Sequence, residues 1–227
     1  MKWSRFATFA ILGVLLFPAG LAGQWVPEVR VTPRAGLLTP PGWFYVEYAQ
    51  FGVIPMEWTE AAILRAPTVG GALELAFDGA GVWVRGEVVR TLGAETAVIH
   101  AVLYPPTQAG PAQVVRTRFN VPTTITAGSL DLGFPTRLRI PGGVQPYVTA
   151  GVGGKRYGFD LTPFEGREEN VIVPQGGTVP ALNIGAGATV TAAGLTLDLL
   201  VRNSISEYWG EQQNDVMFLA GMRFRVR

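Results

Sequence analysis

Apolar and polar residues alternate with a period of two along most of this chain, which is the pattern of strands with one apolar face. Eight such segments stand out. The first covers residues 28–38, with Val29, Val31, Ala35 and Leu37 on one face and Arg30, Thr32 and Arg34 on the other. The second, residues 69–77, sets Leu73, Leu75 and Phe77 against Glu74. The third, residues 82–91, sets Val82, Val84 and Val88 against Trp83, Arg85 and Glu87. The fourth reaches residue 140, with Leu130, Leu132, Phe134, Leu138 and Ile140 opposite Asp131, Arg137 and Arg139. Residues 144–159, 181–191, 195–205 and 215–227 supply the rest, carrying Tyr147, Asn183, Asp198 with Arg202, and Arg223 with Arg225 on their polar faces.

The connections alternate in length. "DGAG", "PGG" and "AAG" are tight turns, whereas the segments at about 39–68, 92–122, 160–180 and 206–214 are longer. Short turns at one end and longer loops at the other describe an up-and-down barrel of an outer membrane. The expected fold class is therefore all-β, an eight-stranded antiparallel transmembrane barrel. A charged side chain facing midplane lipid costs about 2–4 kcal/mol, so the arginine-bearing faces point inward. The expected lumen carries Arg30, Arg34, Arg85, Arg137, Arg139, Arg202, Arg223 and Arg225 against Glu74, Glu87, Asp131 and Asp198. Eight strands enclose just enough space for side chains to fill. The interior is expected to be a plugged charge network rather than an open pore, with inward glycines making room for the arginines, Trp83 and Tyr147.

Composition sharpens this picture. The chain has 227 residues, 48% hydrophobic and only 15% charged, with 29 glycines and 17 prolines. Lys2 and Arg5 precede an apolar run over residues 6–17, and small residues follow in "PAGLAGQ". This reads as a secretory signal covering residues 1–22, with the barrel over 23–227. No later run reaches the roughly 20 apolar residues of a membrane helix. A formal charge of +1 gives no basic footprint for nucleic acid. Without cysteine there is no disulfide and no thiolate metal site. No metal-ligand cluster or phosphate loop is present, so no cofactor is expected.

The signal segment, "QPYVTAGVGG", "NIGAGATVTAAGLTLDLLV" and the terminal "DVMFLAGMRFRVR" together resemble the small eight-stranded outer-membrane barrels of the OmpA/OmpX type. The resemblance covers essentially the mature chain. It implies a lipid-embedded protein, inserted by the barrel-assembly machinery and monomeric. Such barrels usually end in a lipid-facing aromatic; here Phe224 stands in, ahead of Arg225, Val226 and Arg227. No peptidoglycan-binding domain is expected after the barrel.

Chemistry-bearing residues outside the wall are few. The first loop packs Trp43, Phe44, Tyr45, Tyr48, Phe51 and Trp58 into sixteen positions. They form either a ligand or partner surface or a small loop core, and Thr59 is placed to cap a short helix over residues 60–65. His100, the single histidine, has no serine nearby in sequence, so no activated nucleophile is expected. Glu168 and Glu169 read as a solvated loop face. The leading expectation is a non-enzymatic barrel with a structural or surface-interaction role. A barrel admitting a small hydrophobic ligand through the aromatic loop, and a secreted lipocalin-like soluble barrel, are the alternatives.

Overall fold

The computed structural model describes residues 27–226 apart from 41, 52–53, 78–80, 105–110, 137, 139, 163–175 and 209. The signal segment, Arg137, Arg139, Glu168 and Glu169 therefore lie outside the described residues.

Among the described residues there are eleven strands: β1 (Glu28–Thr39), β2 (Trp43–Phe51), β3 (Ile54–Ile63), β4 (Ala66–Phe77), β5 (Val82–Thr91), β6 (Ala94–Tyr104), β7 (Gln113–Pro135), β8 (Val144–Phe159), β9 (Gly177–Ala192), β10 (Leu195–Tyr208) and β11 (Glu211–Val226). All pairings are antiparallel. In the order β1–β4–β5–β7–β8–β9–β10–β11 they return to β1, closing a ring of eight. Closure matters because every ladder group inside lipid must find a partner and a ring has no edge.

The other three strands continue members of the ring. β2 pairs with β3, β3 with β6, and β6 with the first half of β7. Their order repeats that of β1, β4, β5 and β7 below them. Pro40, Leu64 with Arg65, and Leu92 with Gly93 interrupt what are otherwise three long strands. Gly93 has φ +59°, a left-handed conformation that glycine adopts without penalty. The wall thus rises well above the ring on one side.

This corrects two readings of the sequence. The connection expected as a loop at 39–68 is largely strand, whereas the one at 92–122, whose "AVIHAVLY" and "AQVVRTRF" read as a hairpin extending the third and fourth strands, is such a hairpin, β6 pairing with β7. The helix expected over residues 60–65 is absent: residues 60–63 belong to β3, where Glu60 and Ala61 pair with Ile99 and Val98. Helix propensity in "TEAAIL" is worth only tenths of a kcal/mol per residue and yields to a ladder on both sides. The fourth expected strand also stops earlier. β7 ends at Pro135, whose ring removes a ladder donor, and Ile140 makes only an isolated bridge to Val144 across Gly142 and Gly143.

Alternation sorts the ring into two faces. Leu73, Val88, Leu130, Val148, Ile184, Val201 and Phe218 are exposed on the outer surface. Arg34, Glu74, Arg85, Asp131, Asp198 and Arg202 are buried within. Above the charges the interior turns apolar: Leu38, Val89, Ile125, Tyr157 and Met217 form one cluster that continues into Ala61, Ile63, Val98 and Val121 of the raised wall. The lumen is therefore densely charged in its lower half and mainly apolar in its upper half, where Lys155 and Asp215 are buried among the apolar side chains.

The register gives a direct prediction. Leu132 shares the outer face with Leu130 and Phe134, so Leu132→Arg is expected to cost about 2–4 kcal/mol and impair assembly. A spin label at Leu132 should report lipid, and one at Asp131 a restricted polar interior. The opposite pattern would shift the whole strand by one residue.

Candidate functional site

The lower lumen is built from inward positions of seven strands, β1, β4, β5, β7, β8, β10 and β11. Asp198 on β10 is its hub. It accepts hydrogen bonds from Arg34, from Arg85 at 2.9 Å and from the Tyr147 hydroxyl, and lies 3.3 Å from Arg223. Glu74 on β4 receives Arg85 at 2.8 Å, Arg30 at 3.0 Å and Arg223 at 3.3 Å. Glu87 on β5 bridges Arg34 at 2.9 Å and Arg202 at 2.7 Å. Arg202 also donates to the Ser129 hydroxyl at 2.9 Å, which in turn donates to Asp131. At the lower mouth Glu28 accepts from Arg30 and Arg225.

Several glycines face inward where larger residues need room. A Cβ at Gly133 would overlap the Trp83 ring, one at Gly187 the Tyr147 ring, and one at Gly221 the Arg34 stem. Into that space the Arg85 guanidinium stacks 4.2 Å from the Trp83 ring centre, with Tyr147 edge-on to Trp83 at 5.4 Å. Arginine suits such a site because it stacks on aromatics and forks to carboxylates at once. Burying these charges is tolerable because each is paired.

Every described member of the expected charge set thus meets a partner of opposite sign: Arg30, Arg34, Glu74, Arg85, Glu87, Asp131, Asp198 and Arg202 form one connected network. Glu28 joins it, although the sequence reading did not place it there. A second buried pair was also missed. Lys155 on β8 bonds Asp215 on β11 at 2.6 Å, with the Tyr157 hydroxyl donating to the same carboxylate at 3.2 Å. Both follow the inward parity of their strands, Lys155 two positions beyond Gly153 and Asp215 two before Met217. Extending the alternation to the strand ends would have found them.

The upper wall brings His100 into a chain of contacts. Its Nδ1 lies 3.1 Å from the Thr59 hydroxyl and its Nε2 3.0 Å from the Glu57 carboxylate. Cross-strand register sets Thr59 directly opposite His100, so a hydroxyl absent from the local sequence is supplied by the fold. Hydroxyl, imidazole and carboxylate in a row are the parts of an activated nucleophile. Thr59, however, is only 2% exposed, so no acyl carbonyl can approach its hydroxyl. The arrangement is a brace between β3 and β6.

Trp43, Phe44, Tyr45, Tyr48 and Phe51 lie along β2 and Trp58 on β3, with Tyr48 paired to Trp58. They belong to sheet rather than to a loop. Where β8 leaves the wall, the Thr162 hydroxyl and, at 3.1 Å, the Thr162 amide donate to Asp160 and hold that exposed carboxyl below its ordinary range. Among the described residues no group of three His, Cys, Asp or Glu side chains is arranged to hold a metal.

A closed ring of eight antiparallel strands, apolar outside and charged inside, is a transmembrane β-barrel of the outer-membrane kind. The apolar outer belt excludes the lipocalin-like alternative, which would turn that face to water. A known structure shares the architecture, and others are similar in part. The outer-membrane protein OprG from Pseudomonas aeruginosa matches 90% of this chain and 98% of its own, with a TM-score of 0.54 and 11% identity. Neisserial surface protein A matches 88% and 97% at a TM-score of 0.47 and 10% identity. Ail of Yersinia pestis matches 87% and 99% at 0.44 and 15%. The fold is that of the small eight-stranded outer-membrane barrels of the OmpA/OmpX type. No family model and no curated protein sequence matches the chain.

Proposed function

We propose that the protein is a non-enzymatic integral barrel of a bacterial outer membrane, closed to solutes, with a structural or surface-interaction role. One observation carries the closed lumen. The arginine–carboxylate network crosses the interior from Arg34 to Asp131, and its central members Arg85, Arg202 and Asp198 are each at most 1% exposed. Above it, apolar side chains packed around the buried Lys155–Asp215 pair fill the same passage a second time.

Residues 1–22 serve as the export signal in this reading. Phe224, exposed near the end of β11, supplies the lipid-facing aromatic that the barrel-assembly machinery reads. The closed ring leaves no unpaired edge in lipid, which suits a monomer. The raised wall of β2, β3, β6 and the first half of β7 is the part available to a surface partner, since binding residues concentrate where a rigid scaffold projects from the membrane.

Planar-bilayer recording tests the closed state. The purified protein should give at most small, flickering currents. Stable porin-sized conductance would overturn the reading. A band that shifts between unheated and boiled samples, found in the outer-membrane fraction, checks the location independently.

A further inference from the structure

Below the network the lumen opens again at the end that carries the tight turns. Two cavities of about 240 and 410 Å³ meet there and share Arg30, Gln145, Thr189 and Arg223. Trp83 and Tyr147 floor the upper one, and Arg225, Thr191 and Thr196 line the lower. In an outer-membrane barrel this end faces the periplasm. The basin is a pocket with one mouth, blocked above by the charge network.

Charge does not balance there. Among the described residues the connected network holds six arginines, Arg30, Arg34, Arg85, Arg202, Arg223 and Arg225, against five carboxylates, Glu28, Glu74, Glu87, Asp131 and Asp198. The three deep arginines each reach two carboxylates. At the basin Arg30 and Arg225 share Glu28, Arg30 and Arg223 share Glu74 with Arg85, and Arg223 shares Asp198 with Arg34 and Arg85. Arg223 shows the consequence. Both its ion pairs are long, at 3.3 Å, and its Nε is buried with no hydrogen-bond partner among the described residues. A buried cationic N–H without an acceptor is costly. The surplus positive charge therefore sits beside a basin that also offers threonine hydroxyls and a glutamine amide, with Glu28, held by Arg30 and Arg225, as the one carboxylate among its described lining residues.

We infer that this periplasmic basin binds one small soluble oxyanion of the phosphate class. Guanidinium forks with neighbouring hydroxyl donors are the usual recognition chemistry for such groups. The upper cavity, at about 240 Å³, has room for a phosphate and too little for a polymer.

The test is titration of inorganic phosphate into the protein in phosphatidylcholine nanodiscs, followed by calorimetry. One phosphate should bind saturably per barrel. Arg223→Gln should weaken it at least tenfold. Because Arg223 contacts the network, its folding is checked by the heat-shift gel, and Arg225→Gln, at an exposed position, supplies a second variant expected to weaken binding several-fold. Arg116→Gln with Arg118→Gln, on the far side of the membrane, should leave binding unchanged. Non-saturable uptake, or binding that survives both basin variants, would overturn the assignment. So would loss of binding in the Arg116/Arg118 variant alone.

Discussion

Asp198→Asn is expected to destabilise the barrel by about 3–5 kcal/mol, the range for removing one partner of a buried ion pair. The substitution keeps the shape and removes one charge. Asp198 is fully buried and faces Arg34, Arg85 and Arg223 at once, so the loss leaves a network with five carboxylates holding only four against six arginines. No water can screen the excess at that depth. Urea unfolding of the protein in detergent or lipid would measure the change. Asp160→Asn, at an exposed position beyond β8, should stay within about 0.5 kcal/mol. Coupling gives a sharper readout. Combined with Arg223→Gln, which removes one of the surplus cations, Asp198→Asn should cost clearly less than the sum of the two single changes. Strict additivity would mean that these charges do not sense each other, and the network reading would fail with it.

Gly133→Val should do comparable damage by a steric route. Gly133 lies inward on β7, under the ring of Trp83, and any Cβ there overlaps that ring. Trp83 has no spare room, because Arg85 stacks on its face and Tyr147 meets it edge-on. Displacing it breaks the stack as well as the packing, so the cost falls at the upper end of the 1–3 kcal/mol seen for overpacked cores, about 3 kcal/mol. Adding Trp83→Ala should recover much of the loss, since the smaller side chain vacates the space the valine needs. Gly86→Val is the control. A Cβ at Gly86 meets nothing within 4 Å, and the site faces outward. If the two valine variants unfold alike, the penalty belongs to glycine in a strand rather than to the fit against Trp83.

The two substitutions probe different things the chain had to solve. One asks whether the interior holds its charge balance, and the other whether it holds its volume. Both answers come from positions that alternate along single strands and were readable one strand at a time. That explains how the charged face of the lumen, with Arg85, Glu87, Asp131, Asp198 and Arg202, could be drawn from the amino-acid order alone. Period-two geometry is local, and lipid imposes one rule on the whole outer surface.

Pairing was not local. Nothing in the neighbourhood of Asp198 says that Arg34, 164 positions earlier, will be its partner, because register depends on how each strand is offset from the next. The same holds for Thr59 and His100, which meet only because β3 and β6 align at that residue. The aromatic stretch from Trp43 was misjudged for a related reason. Its alternation is masked by adjacent aromatics, and "TEAAIL" favours helix until ladders on either side decide otherwise. Sequence by itself determined that eight strands cross a membrane with arginines inward, since sidedness follows from single-strand periodicity and the cost of charge in lipid. Only the tertiary structure decided which charges meet, where the interior turns apolar and how far the wall rises above the ring, because those follow from register between strands distant in the chain.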